Sequence, residues 1–226
     1  MAARANPLFD IAAAPQAQAP VAPANAMSLL AQVHAEAVET AHLANLLGRS
    51  AYATAALAAL AVAALVVGGG ATLSQAIAWA ILMTVGLLAM LRAYAFAIRQ
   101  PFERAALHAF SQDFHACLLY AGFAWGAGAF LTLPAPVSGA ALLLFVAAPA
   151  LALAALLRAR EAVLPFVAPA AGLSSLACAV RPLSGGALAA GLILAGCAIV
   201  AIALEFVART GEKRHDAALP HVLTAS

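Results

Sequence analysis

Six apolar stretches of about twenty residues each, at 51–70, 74–97, 114–133, 138–157, 162–180 and 186–207, constrain this chain more than any other feature. A helix of roughly 20 residues crosses about 30 Å of hydrocarbon. Within lipid, every backbone amide and carbonyl must be bonded inside the protein, which leaves helices as the way to use such stretches. The pattern predicts an all-α, polytopic membrane protein with six transmembrane helices. Composition agrees: 65% of the residues are hydrophobic and only 9% are charged, whereas a soluble domain carries about 25% charged residues. A net charge of +2 gives no footprint for nucleic acid,.

Turn chemistry separates the stretches: GGGATLS at 68–74, RQPFERAALHAFSQD at 99–113, LPAPVSG at 133–139, RARE at 158–161 and RPLSGG at 181–186,. Six crossings put both termini on one side. The basic residues choose that side, because loops rich in Lys and Arg are retained in the cytoplasm during insertion. Arg4, Arg49, Arg92, Arg99, Arg104, Arg158, Arg160, Arg209, Lys213 and Arg214 share the side of the termini, and only Arg181 falls opposite. Both ends are therefore expected in the cytoplasm. The basic inner rim would attract anionic lipid headgroups, worth about 1 kcal/mol for each residue near the surface.

Before the first crossing, residues 1–25 carry four prolines and many alanines and are read as a disordered cytoplasmic lead-in,. Residues 26–49 repeat Leu30, Val33, Ala37, Ala41 and Leu46–Leu47 near helical spacing, which predicts an amphipathic interfacial helix,. The transmembrane domain then occupies 50–207, and 208–226 form a short cytoplasmic tail in which Gly211 and Pro220 are expected to stop the sixth helix.

Little in the sequence suggests chemistry. None of the nine carboxylates lies in mid-membrane, where ionisable groups of pumps and coupled transporters sit. His34 and His42 are eight apart and His108 and His115 seven apart, while two ligands on one helix belong three or four apart. No metal site and no cofactor are expected, and no nucleophile motif, phosphate loop or catalytic residue is found. The cysteines Cys117, Cys178 and Cys197 lie in apolar runs as packing residues,. Gly122 and Gly126 form a GxxxG step for close helix contact,. Glu205 and Arg209 stand four apart in the favourable acid-before-base order, so they should fix the end of the last helix,. Pro149, Pro165 and Pro169 fall inside crossings, where they kink helices or, together with Ser174 and Ser175, line a path,.

The segments VHAEAVETAHLANLLGRSAYATAALAALAVAALVV, AIAWAILMTVGLLAMLRAYAFAIRQ and FHACLLYAGFAWGAGAFLTLPAP resemble the six-helix N-terminal membrane module of bacterial diguanylate cyclases (GGDEF proteins) and sensor histidine kinases. The resemblance implies signal positions at Trp79, Arg92, Gly122 with Trp125, and Pro134, and an inner bacterial membrane. In that family the last helix continues into an output domain, whereas only about 19 residues follow the sixth stretch here. The expected function is thus a non-enzymatic sensory or signal-relay module acting through a separate protein partner or a homo-oligomer in the bilayer. The alternatives are an accessory subunit of a larger membrane complex and a small carrier or channel.

Overall fold

The computed structural model describes residues 23–68, 72–100, 103–158 and 160–223, with side chains over 29–31, 33–67, 72–100, 103–158 and 162–207. The described residues form six helices, α1 (Pro23–Gly68), α2 (Leu73–Ala97), α3 (Arg104–Leu131), α4 (Gly139–Leu157), α5 (Arg160–Val180) and α6 (Ala187–Leu223). All six are long and apolar enough to cross a membrane. The chain divides into two units, residues 1–41 and 42–226. In the first, the described side chains belong to the early turns of α1, where Leu29, Leu30, Val33 and Val38 are exposed.

Three element boundaries differ from the sequence reading. The interfacial helix and the first crossing are one uninterrupted helix of 46 residues. Gly48, Arg49 and Ser50 do not break it, because the Ser50 and Thr54 hydroxyls donate back to the Leu47 and Ser50 carbonyls, each at 2.8 Å. The polar groups are thereby satisfied within the helix itself. The third helix starts at Arg104, ten residues earlier than expected, so His108, Asp113 and His115 are helical. Leu107, Phe110, Phe114 and Leu118 are spaced three or four apart and buried, which extends the helix through a segment that reads as a polar connection,. The sixth helix runs through Gly211 and Pro220 to Leu223. A glycine costs a helix only about 1 kcal/mol, too little to end it alone. Residues 1–22 of the expected lead-in lie outside the described residues.

In the second unit α3 and α5 are central: α3 packs on α2, α4 and α5, and α5 also packs on α4 and α6, which touches α4 in turn. The core runs from Leu46, Leu47 and Leu57 through Trp79, Phe114, Leu142, Leu153 and Phe166 to Leu194. Small residues set the spacing. A Cβ on Gly122 would strike the Phe166 carbonyl oxygen and come within 2.8 Å of the Pro169 ring. One on Gly126 would come within 2.7 Å of Leu173 Cβ. The GxxxG step is therefore the α3–α5 contact within one chain.

Each end of this bundle is tied. At one end, Arg49 Nη1 donates to the Leu156 carbonyl (3.3 Å) in the last turn of α4, and Arg158 caps that helix in the left-handed region at φ 52°. At the other, Thr72 and Gln75 make a reciprocal capping box on α2,, and the Ser138 hydroxyl accepts the Ala141 N–H at the start of α4,. The α3–α4 and α5–α6 connections clasp through a parallel bridge between Val137 and Leu183. Val137 N–H donates to the Pro182 carbonyl (2.9 Å), and Ser184 N–H to the Val137 carbonyl (3.0 Å). Beside the clasp Arg181, the lone basic residue on its side in the sequence reading, donates from Nη1 to the Ala129 carbonyl (2.9 Å). That carbonyl is one of the last four of α3, which have no partner inside the helix.

Candidate functional site: an aromatic centre around Pro149

Four rings from four helices meet between the two ends. Trp79 of α2 lies edge-on to Trp125 of α3, with centroids 5.7 Å apart and planes at 73°. Phe145 of α4 is 5.3 Å from Trp125 and 6.2 Å from Trp79. Phe166 of α5 is 6.3 Å from Trp125. These separations suit edge-to-face and offset contacts, worth about 0.5–1.5 kcal/mol per pair beyond area burial. Both indoles are sealed from the surroundings, Trp79 at 0% and Trp125 at 2% exposure. Gly128 makes the room, since a Cβ there would meet Trp79 Nε1 at 2.6 Å and Phe145 Cζ at 2.7 Å.

A buried indole N–H needs an acceptor, and each of these two finds a backbone carbonyl on the next helix. Trp79 Nε1 donates to the Ala124 carbonyl at 2.8 Å. Trp125 Nε1 donates to the Phe145 carbonyl at 2.7 Å. The second has a specific cause. In an α-helix the Phe145 carbonyl would accept from the N–H of residue 149, but that residue is proline and has none. Pro149 is fully buried inside α4, so the freed carbonyl has no water to turn to. The Trp125 indole takes the place of the missing amide.

The remaining expected positions are dispersed. Gly122 and Gly126 share α3 with Trp125 but face α5. Arg92 is exposed near the end of α2, and Pro134 is exposed in the clasped connection. Glu205 is half-buried on α6, while the Arg209 side chain lies outside the described residues. Ser175 Oγ donates to the Gly172 carbonyl, and Ser174 is buried with its hydroxyl unpartnered. His115 bonds to Ser111 of its own helix. Among the described residues no group of three His, Cys, Asp or Glu is arranged to hold a metal. Phe145 and Phe166 are the members of the centre that sequence reasoning missed. The only hint of Phe145 was its position four residues before a proline. Comparison with protein-family models, curated proteins and solved structures finds no match for this chain.

Proposed function

We propose that this chain is a non-enzymatic membrane module that relays a change at one end of its bundle to the other, and from there to a separate output protein. One observation carries the reading: α4 is bonded at its start to the clasp, at its middle to Trp125 and at its last turn to Arg49 of α1. A proline-relaxed helix whose spare carbonyl is held by a neighbour has two accessible arrangements, bonded and released, and signalling elements need such bistability. The buried aromatic centre links α2, α3, α4 and α5, so a shift of α4 is felt by all of them. The resemblance to cyclase and kinase sensor modules supports a partner of that output class. The same resemblance supports an inner bacterial membrane, and the ten-to-one distribution of basic residues supports both termini being cytoplasmic,. On that orientation the clasp faces outward, and α1 and the end of α6 are the levers inside.

The test is functional. The protein is purified from native membranes in mild detergent with crosslinkers directed at residues 204–226, and a kinase or cyclase that accompanies it is assayed with wild type and Trp125→Phe. A change in the partner's activity is expected. Unchanged output, or recovery only as a fixed-stoichiometry component of a complex with no kinase or cyclase, would refute the relay.

A further inference from the structure

Away from the aromatic centre, one crevice combines a carboxylate with an apolar floor. It lies between the last turns of α2 and the first turns of α3, has a volume of about 210 Å³ and is lined by four alanines with Phe96, Phe110, Gln100 and Asp113. Phe110 is held in place by stacking on Phe114 at 5.5 Å. The alanines at 93, 97, 106 and 109 leave the space open. Asp113 is the one ionisable residue in the lining. It is exposed and therefore free to meet a ligand from outside the bundle.

Its level follows from helix length. Counting back from Leu131, 18 residues of α3 cover about 27 Å at 1.5 Å per residue,, close to the hydrocarbon thickness. Asp113 therefore falls at the boundary with the headgroups. Arg92 is equally exposed and stands next to crevice residue Ala93 and one helical turn before Phe96,. The antiparallel run of α2 and α3 brings this stretch of α2 to the level of Asp113. Arg92 is outside the crevice lining, at its rim on α2, while Asp113, Phe96 and Phe110 line the crevice itself.

We infer that this crevice binds the zwitterionic headgroup of a phospholipid carrying a primary ammonium, with the ammonium on Asp113 and the phosphate on Arg92. A primary ammonium offers three N–H donors to the carboxylate and the Gln100 side-chain oxygen, and its charge is attracted to the faces of Phe96 and Phe110. A choline headgroup carries the same charge with no N–H to donate. A glycerol headgroup carries phosphate with no cation. The site thus discriminates among the lipids that surround it, and the bilayer supplies the occupant at high local concentration.

Full-length protein is mixed in micelles with equal amounts of phosphatidylethanolamine, phosphatidylcholine and phosphatidylglycerol, and retained lipid is read by native mass spectrometry. A charge-assisted, hydrogen-bonded contact should favour phosphatidylethanolamine about tenfold over both others. Asp113→Asn should abolish the preference, Arg92→Gln should weaken retention, and Ala109→Leu should fill the crevice, all with unchanged helicity by circular dichroism. Displacement of the lipid by soluble glycerophosphoethanolamine at micromolar concentration would overturn the assignment to a lipid, in favour of a free phosphoamine ligand. Equal retention of phosphatidylcholine, or a preference unchanged in both Asp113→Asn and Ala109→Leu, would overturn the site.

Discussion

Replacing Trp125 by Phe removes one hydrogen-bond donor and keeps most of the ring, so the consequence depends on what Pro149 has done to α4. The indole nitrogen and the Phe145 carbonyl oxygen are 2.7 Å apart, and both residues are buried. A buried acceptor left without a partner costs about 1–3 kcal/mol. Interhelical bonds in membrane proteins have measured nearer 0.6 and up to about 1.7 kcal/mol. The bond here replaces one that the helix cannot make for itself, so about 1–2 kcal/mol is expected. Loss of indole volume adds a packing cost, but that cost is shared by any background in which the ring site is the same. Pro149→Ala supplies such a background while restoring the amide that the Phe145 carbonyl lacks. Reversible unfolding in mixed micelles, followed by circular dichroism, gives the four stabilities of the cycle. Trp125→Phe should cost about 1–2 kcal/mol more in the proline background than in the alanine one. Equal costs, within about 0.3 kcal/mol, would mean that the indole does not substitute for the amide.

Gly122→Ala and Gly126→Ala push a methyl into the backbone and side chains of α5 and should each destabilise the bundle by about 1–3 kcal/mol in the same unfolding assay. Gly48→Ala, whose new methyl meets nothing within 4 Å, should instead stabilise by up to about 1 kcal/mol through helix propensity. Arg158→Gly removes the left-handed strain of a non-glycine cap and should gain about 1 kcal/mol. Arg181→Met uncaps α3 and should speed amide exchange at the end of α3 about fivefold, for about 1 kcal/mol of lost capping; unchanged exchange there would show that the Ala129 carbonyl needs no cap.

How much of this was legible in the sequence differs by length scale. Helix number and approximate span follow from hydrophobic length, because lipid permits few other solutions. Boundaries read less well where polar residues are satisfied inside a helix. Gly48, Arg49 and Ser50 look like a break in print, yet the Ser50 and Thr54 hydroxyls bond to their own helix backbone in the fold. His108 and Asp113 suggest a loop, but Leu107, Phe110 and Phe114 provide an apolar face that carries the helix past them. Trp79 and Trp125 stand out from a resemblance, Gly122 from that and from its GxxxG step, and Pro149 from its place in a crossing. Their convergence was not legible, since nothing in a single sequence reports which tryptophan fills the gap left by which proline. Arg181 illustrates the same limit, as its charge reads as an exception to topology while its partner, the last turn of α3, lies 52 residues away.

The relay itself is tested most directly by a distance. In a cysteine-free background with Cys117, Cys178 and Cys197 replaced, spin labels at exposed Tyr52 and Ala155 report the α1–α4 end of the bundle. Val137→Pro then removes the N–H that bonds the Pro182 carbonyl and opens the clasp at the opposite end. The account predicts that opening the clasp displaces or broadens the distance distribution between the labels, and that Trp125→Phe, by releasing the middle of α4, abolishes the response. A distribution indifferent to the clasp with Trp125 intact would contradict it.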